Sequence, residues 1–293
     1  MKPGRKPIEI WNGELRERLH DCTIVGELTD LGGEVIAVVQ QFGFAIVEST
    51  PGSLSEAAVA QRSQDLLAFG TRLGTPLFQS PRHELVEDVK DYSDLETGDT
   101  RGYRSGGELK AHSDPPTLVV LHCLGIARAG GDSSLVRVAA IVARMEEMAP
   151  RLAEELFAPL PSWRVPGQNG IDLEGPDEPK PVLTNHQGNL SCVLYRPHIH
   201  ASAEASGQSL TTRQLEALDL FEACSMDNQL TLRFLLKPGQ TLIIHNRSVL
   251  HARTDYQDWP EMNRRRHLLR LWIDAPESFL VDPSHELGDF FPA

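Results

Sequence analysis

Short apolar runs separated by Gly- and Pro-containing turns make up most of the chain, and few of them have a helical period. A short helix is predicted at 33–39 and a strand directly after it at 42–48. Six further runs have the length and the β-branched or aromatic content of buried strands, at 117–123, 133–138, 190–195, 230–236, 241–245 and 267–273. Because these strands do not alternate with helices, the pattern favours a sandwich or jelly roll over a Rossmann-type fold.

Three longer segments predict helices that pack outside the strands. Ser53 followed by Glu56 matches a capping box and predicts a helix to about Leu73. A second helical block covers 138–157, and a third begins at Thr211 with its own capping box. The predicted fold class is therefore mainly β with flanking helices.

The turn residues are spread evenly, so nothing divides the chain into separate units. We expect one domain at 21–293, preceded by a loosely attached arm at 1–20. The segment 80–110 is polar, contains glycine and has no clear period. A long irregular segment inside a compact domain is typical of a functional loop, and we expect a lid here.

Composition narrows the choice of partner. The 28 basic and 41 acidic residues give a net charge of −13, which argues against nucleic acid or an anionic membrane as partner. No apolar run is long enough to span a bilayer, the N-terminus has no apolar signal core, and the four cysteines form no CxxC pair. We expect a cytoplasmic protein with a small-molecule substrate. The sequence does not decide between a monomer and a homo-oligomer.

The sharpest local pattern of chemistry-bearing residues is His112-Ser113-Asp114, before the apolar run at 117–123. In an extended segment residues i and i+2 point the same way, so an imidazole nitrogen and a carboxylate oxygen could meet one ion. The alternative is a surface turn with an incidental histidine.

A second group of such residues follows the strand at 241–245. It contains His245 and His251, and Arg266 comes 15 residues after His251. Two histidines and one carboxylate on one side of an ion leave the opposite side open, as in non-haem Fe(II) oxygenases. Such an oxygenase needs those positions for a bidentate 2-oxo acid and O2, and a cation for the acid's far carboxylate.

Four segments together, HSD, GGDSSLV, PGQTLIIHNRSVLHART and RRRHLLRLW, resemble the Fe(II)/2-oxoglutarate dioxygenases of the taurine dioxygenase superfamily. The resemblance is nearer to γ-butyrobetaine hydroxylase and clavaminate synthase-like members. It covers about 100–140 and 180–275, and the N-terminal third matches only loosely. It implies a double-stranded β-helix (jelly-roll) core, with Fe(II), 2-oxoglutarate and O2 as cofactor and cosubstrates.

The resemblance also implies roles for single residues. His112, Asp114 and His251 match the iron ligands, with His251 favoured over His245 because of its LHART context. Arg266 matches the arginine that pairs with the far carboxylate of 2-oxoglutarate, and Ser133 stands where relatives have a threonine that bonds the same carboxylate. Because a carboxylate is present at 114, hydroxylation or another oxidation is favoured over halogenation.

Arg270 lies on the same strand face as Arg266 and could touch the cosubstrate or an anionic group of the substrate. Glu108, with Tyr103 and Arg104, lies in the expected lid and suits an ammonium group, although Glu108 could equally be a solvated charge. The sequence therefore predicts hydroxylation of an amino acid or an amino-acid-derived metabolite.

Three alternatives stay open from the sequence. A jelly-roll protein could bind a metal or ligand without turnover, and the same iron chemistry could give desaturation or cyclisation. His198 and His200 have i, i+2 spacing and could belong to a zinc hydrolase, although the chain has no HExxH helix to support one.

Overall fold

The structure is a computed structural model that describes residues 19–79, 83–93, 102–164 and 175–285. The strands within these ranges are β1 (Thr23–Val25), β2 (Phe44–Glu48), β3 (Thr75–Leu77), β4 (Val86–Val89), β5 (Leu109–His112), β6 (Leu118–Gly125), β7 (Ala129–Gly130), β8 (Ser133–Arg137), β9 (Pro159–Arg164), β10 (Gly175–Pro181), β11 (Leu183–His186), β12 (Asn189–Cys192), β13 (Thr231–Phe234), β14 (Gln240–His245), β15 (Val249–Arg253), β16 (Tyr256–Gln257) and β17 (His267–Asp274). The helices are α1 (Gly33–Phe42), α2 (Glu56–Leu73), α3 (Val138–Met148), α4 (Pro150–Glu155), α5 (Arg196–Ala205) and α6 (Thr212–Ser225).

Two facing sheets form the core of the molecule. The larger sheet has the order β1-β2-β14-β6-β17-β3, and β4 also pairs with β17. The smaller sheet has the order β13-β8-β15-β5. All pairs are antiparallel except β1 with β2. Non-consecutive neighbours in both sheets give the jelly-roll crossovers, so the predicted fold class is confirmed.

Alternation along the strands explains the layers. On β14, Leu242 and Ile244 belong to the apolar cluster between the sheets, whereas Ile243 packs on the side of α1 and α2. On β8, Leu135 faces the larger sheet and Val136 faces the cluster around α3 and α6. Helices cover the outer face of each sheet, so these central strands are apolar on both faces and appear as continuous runs in the sequence.

The boundaries of β2 and α2 differ from the prediction, whereas the cap of α6 agrees with it. The strand predicted at 42–48 begins at Phe44, because Gly43 (φ 84°) ends α1 in the left-handed region. The cap of α2 is Ser55, whose side chain accepts from the amide of Ala58, and not Ser53. The capping box at Thr211 is present as predicted, with both of its bonds formed to Gln214.

The helical block at 138–157 is two helices, α3 and α4. The break falls at Ala149, and Pro150 occupies the first turn of α4, where a missing N–H costs nothing. The strand predicted at 190–195 is the shorter β12, which forms a hairpin with β11. The chain then enters α5, which was not predicted.

The irregular segment predicted at 80–110 contains regular structure. Its β4 pairs with β17, and a 3₁₀ turn at Gly102–Arg104 leads towards β5. Residues 80–82 and 94–101 of this segment lie outside the described residues, as do residues 1–18 of the predicted arm. Among the described residues, no helix has both the length and the apolar character needed to cross a bilayer.

Gly74, between α2 and β3, marks a close approach of two backbones. A Cβ there would lie 2.3 Å from the carbonyl oxygen of Asp274 and 2.9 Å from the side chain of Ile273. We expect Gly74→Ala to lower the free energy of unfolding by about 1–3 kcal/mol, because β17 would have to shift. Urea unfolding midpoints measure this change. Gly33→Ala is the matched control, since a Cβ at Gly33 meets nothing within 4 Å. Equal midpoints for the two variants would contradict the prediction.

Candidate active site

The pairing of β5 with β15 brings the two predicted histidine ligands together. His112 lies directly opposite His251 in the antiparallel register, so both imidazoles project from one face, with ring centroids 4.3 Å apart. Asp114 follows two residues later. Its Oδ1 is 3.9 Å from Nε2 of His112, and its Oδ2 is 3.7 Å from Nε2 of His251. One ligand atom from each residue lies within 4.8 Å of the other two.

The turn that carries Asp114 is held by the residues that follow β14. The amide of Asp114 donates to Oδ1 of Asn246 (3.1 Å), and Nδ2 of Asn246 donates to the carbonyls of Asp114 and Pro116. Arg247 donates to the carbonyls of Asp114 and Pro115. Asn246 is fully buried, so this side chain fixes the carboxylate relative to β14.

The surroundings of the three residues suit a metal. Burial, with the neighbouring His112 adding to it, lowers the pKa of His251 to about 3, so its imidazole is neutral at pH 7. Burial alone would raise the pKa of Asp114, but Arg270 and the two histidines hold that pKa below its usual value. Nδ1 of His112 donates to the carbonyl of Lys110 at 2.8 Å, and Nε2 is the nitrogen turned towards Asp114. Two imidazoles and a carboxylate fit Fe(II).

Arg266 lies beside the glycines of the GGD segment. Gly131 (φ 79°) leaves room for it, since a Cβ there would lie 3.2 Å from Nε of Arg266. The guanidinium is buried, 5.0 Å from the ring centre of Tyr256. Its Nη1 has no hydrogen-bond partner among the described residues. This end of the site therefore has a buried cation with an unused donor.

Ser133 faces the same space as His251. In the register of β8 and β15, Leu135 lies opposite His251 and Ser133 lies opposite Arg253. Opposed residues of an antiparallel pair share a face, and Leu135 packs between the two sheets. The buried hydroxyl of Ser133 is thus on the inner face, two residues along from the ligand position.

Arg270 lies at the other end of the site. Its Nη1 is 3.5 Å from Oδ2 of Asp114, and its Nε donates to Oε1 of Gln79 at 2.7 Å. Its Nη2 is 3.9 Å from Oε2 of Glu87, and that oxygen accepts a hydrogen bond from the hydroxyl of Tyr103 (2.6 Å). Oε1 of Glu87 is buried and has no partner among the described residues. This end of the site therefore contains the guanidinium of Arg270 and a carboxylate with one oxygen that accepts no hydrogen bond from the described residues.

The three residues predicted in the lid have different surroundings. Tyr103 reaches the site, with its ring centre 4.3 Å from the guanidinium of Arg270. Arg104 is buried against the ring of Tyr92, at 4.0 Å, and Glu108 is exposed. Tyr103 therefore contacts a residue that lies beside Asp114.

The alternative histidines lie elsewhere. His245 stacks on Phe279, with ring centroids 4.4 Å apart, and bonds to Ser248 (2.7 Å). His198 and His200 are on α5, where residues two apart point to nearly opposite sides, so their spacing does not make a metal pair. Among the described residues, His112, Asp114 and His251 form the only cluster of potential metal ligands.

Sequence reasoning missed Glu87, Asn246 and Arg253 as residues of the site. Glu87 lies in the segment predicted to be irregular, and its strand, Val86-Glu87-Asp88-Val89, shows no apolar–polar alternation in the sequence. Asn246 and Arg253 both lie in the PGQTLIIHNRSVLHART segment, and only the tertiary contacts show what their side chains hold.

With this geometry established, comparison with known proteins places the chain in a family. A family model described as "Taurine catabolism dioxygenase TauD, TfdA family" matches residues 19–272. The chain belongs to this family. FR-33289 synthase of Streptomyces rubellomurinus is 30% identical over 247 residues, which are 80% of this chain and 69% of that protein. A uridine-5'-phosphate dioxygenase of an Amycolatopsis species is 27% identical over 270 residues, 85% of this chain and 91% of that protein.

Solved structures have the same fold. Asparagine oxygenase in complex with Fe(II), 2S,3S-3-hydroxyasparagine and succinate superposes with a TM-score of 0.63 at 18% identity, covering 94% of this chain and 85% of that one. The oxygenase OrfP with Fe, succinate and (3S)-hydroxy-L-Arg gives 0.60 at 15% identity, covering 93% and 90%. The family match makes the chain a 2-oxoglutarate-dependent non-haem iron oxygenase.

The hydrogen bonds of Asn246 to the turn at Asp114 predict that Asn246 affects the affinity for Fe(II). We expect Asn246→Ala to weaken Fe(II) binding by about 10–100-fold, because the carboxylate loses the group that orients it. Anaerobic Fe(II) titration measures this affinity, and near-ultraviolet circular dichroism checks the fold. Asn189→Ala, at the β11–β12 hairpin, is the control and should bind Fe(II) normally. Equal affinities for both variants would show that the turn holds its shape without Asn246.

Proposed function

We propose that His112, Asp114 and His251 bind Fe(II), and that Arg266 and Ser133 bind the far carboxylate of 2-oxoglutarate. The observation that carries this assignment is the convergence of three ligand atoms from β5, the turn after it and β15. Two imidazole nitrogens and one carboxylate oxygen leave coordination positions for the cosubstrate and O2. The unused donor of Arg266 and the inward hydroxyl of Ser133 support the second assignment.

Bound Fe(II) supplies the activation of O2, which oxidises 2-oxoglutarate to succinate and CO2 and the substrate C–H to an alcohol. The chain's own residues provide placement. Arg266 fixes one end of the cosubstrate, and the buried walls exclude water from the reacting atoms. Trp272 donates to Oδ2 of Asp114 (3.2 Å) and keeps that carboxylate oriented.

The ligand assignment predicts which histidine is needed for cosubstrate chelation. Anaerobic Fe(II) and 2-oxoglutarate should give a weak visible charge-transfer band in the wild type. His251→Ala should lose this band, because one metal ligand is removed. His200→Ala is the control, since His200 is exposed on α5, and it should keep the band. A band retained in His251→Ala, or absent from wild type with iron bound, would overturn the assignment.

For the substrate, we propose an amino acid or a derivative that keeps its carboxylate and ammonium groups. Arg270 is the receptor for the anionic group, since it lies beside Asp114 and therefore beside the proposed metal position. Glu87 is the receptor for the ammonium group, through its unpartnered Oε1. The products bound in the asparagine oxygenase and OrfP structures carry both groups, which agrees with this pairing.

A nucleotide is the second candidate, because a uridine-5'-phosphate dioxygenase is among the relatives. Arg270 would then bind a phosphate as a planar fork, and Glu87 would have no cation to bind. The two candidates thus differ in whether Glu87 contributes to substrate affinity.

This difference predicts the effect of Glu87→Gln. In succinate-formation assays with L-arginine, L-asparagine and uridine-5'-phosphate, we expect amino-acid-stimulated turnover in the wild type. Glu87→Gln should raise the amino-acid KM on the order of 10–100-fold, because a charge-assisted hydrogen bond is lost. Glu108→Gln is the matched control, and its KM should be unchanged because Glu108 is exposed. If only Glu108→Gln raises the KM, the ammonium group binds at Glu108 in the predicted lid and not at Glu87. Stimulation by the nucleotide alone, unaffected by Glu87→Gln, would favour the second candidate.

A further inference from the structure

Arg253 is a buried arginine beside the proposed metal centre with no role in the assignments above. It is the second residue after His251 on β15, and its register partner is Ser133. Its side chain therefore faces the space between the sheets, at the cosubstrate end. Only 6% of its surface is exposed. A buried guanidinium is costly unless its donors are used, so its contacts indicate what it does.

One nitrogen of the Arg253 guanidinium holds the loop at residues 105–107. Its Nη2 donates to the carbonyls of Ser105 (2.9 Å) and Gly107. The carbonyl between them, that of Gly106, accepts from the amide of Tyr256 at 2.9 Å. Three successive carbonyls are thus bound by two residues of the β15–β16 segment. Two adjacent glycines make this loop intrinsically loose, so these bonds provide much of its order.

The loop connects two parts of the active site. Tyr103, just before it, donates to Glu87 and stacks on Arg270 at the substrate end. Just after it, β5 carries His112. A change in the order of residues 105–107 therefore reaches both the substrate pocket and a metal ligand.

The other nitrogens of Arg253 are unused. Nε and Nη1 are buried and have no hydrogen-bond partner among the described residues. The guanidinium lies 4.8 Å from the ring centre of Tyr256, and that of Arg266 lies 5.0 Å from the same ring centre. Asp91 is the carboxylate near Arg253 and Asp258 is the one near Arg266, yet donors of both arginines stay unused, so this cluster favours binding of a further anion. The far carboxylate of 2-oxoglutarate is the anion that the proposed function brings to Arg266.

We propose that Arg253 is a positioning residue that couples 2-oxoglutarate binding to the order of the Ser105–Gly107 loop. Its Nη2 holds the loop carbonyls, and its free donors turn to the carboxylate that Arg266 binds. The cosubstrate thereby fixes the guanidinium, and the guanidinium fixes the loop before the substrate arrives. This inference rests on the proposed role of Arg266.

The test is amide hydrogen exchange of residues 104–108, measured anaerobically with Fe(II) and with or without 2-oxoglutarate. In the wild type, 2-oxoglutarate should slow exchange at least 10-fold. Arg253→Met should exchange fast in both states, and its 2-oxoglutarate dissociation constant, from the visible band, should rise about 10–100-fold. Arg264→Met is the matched control, because Arg264 is half exposed and stacks on Trp259 (3.8 Å). It should behave as wild type.

Two further measurements separate the possible failures. Arg266→Met should lose 2-oxoglutarate binding, and an unchanged affinity there would refute the assignment of Arg266 itself. If Arg266→Met binds weakly while Arg253→Met keeps the protected loop, only the coupling through Arg253 is wrong. Amides of β14 report general unfolding. If hydrogen exchange of these amides is faster in Arg253→Met than in wild type, the test is repeated with Arg253→Lys. The proposal is overturned if 2-oxoglutarate still protects the loop of that variant to the wild-type extent.

Discussion

The site depends on one backbone pairing, that of β5 with β15. Because His112 lies opposite His251, the two imidazoles meet without any special loop conformation. The carboxylate of Asp114 cannot be placed by the ladder, since it follows the end of β5 and precedes two prolines that lack amide donors. Asn246 and Arg247 replace the missing ladder bonds. Two paired strands, together with the hydrogen bonds of Asn246 and Arg247, thus define the positions of all three proposed ligand atoms.

The site is rich in buried arginines although the chain as a whole is acidic. The net charge is −13, yet Arg247, Arg253, Arg266 and Arg270 are all buried around the same space. Arg247 uses carbonyl groups, and Arg270 has Asp114 and Glu87 nearby. Arg253 and Arg266 keep unused donors. A concentration of buried cations costs stability unless anions enter, which matches a family that binds a dicarboxylate cosubstrate.

Much of the fold could be predicted, because central strands covered on both faces appear as apolar runs. The predicted strands at 241–245 and 267–273 correspond closely to β14 and β17. The edge strand β4 could not be predicted, since its sequence Val86-Glu87-Asp88-Val89 has two adjacent charged residues and no apolar–polar alternation, and its pairing with β17 decides its structure. The local HSD pattern was sufficient to bring His112 and Asp114 together. Glu87, Asn246 and Arg253 depend on contacts between distant segments, which no local pattern encodes.

The two ends of the site are linked by a single stretch of chain. Arg266 and Arg270 are four residues apart, so they share a face and are separated by about 13 Å along the strand. One receives the cosubstrate under the proposed assignments, and the other receives the substrate. Because Nη1 of Arg270 is 3.5 Å from Oδ2 of Asp114, an anionic group bound there lies next to the proposed metal ligands. The carbon presented for oxidation must then lie within a few bonds of that anionic group. The strand that pairs with β4 and β6 therefore sets the position of attack, and the loops set which side chains of the substrate are accepted.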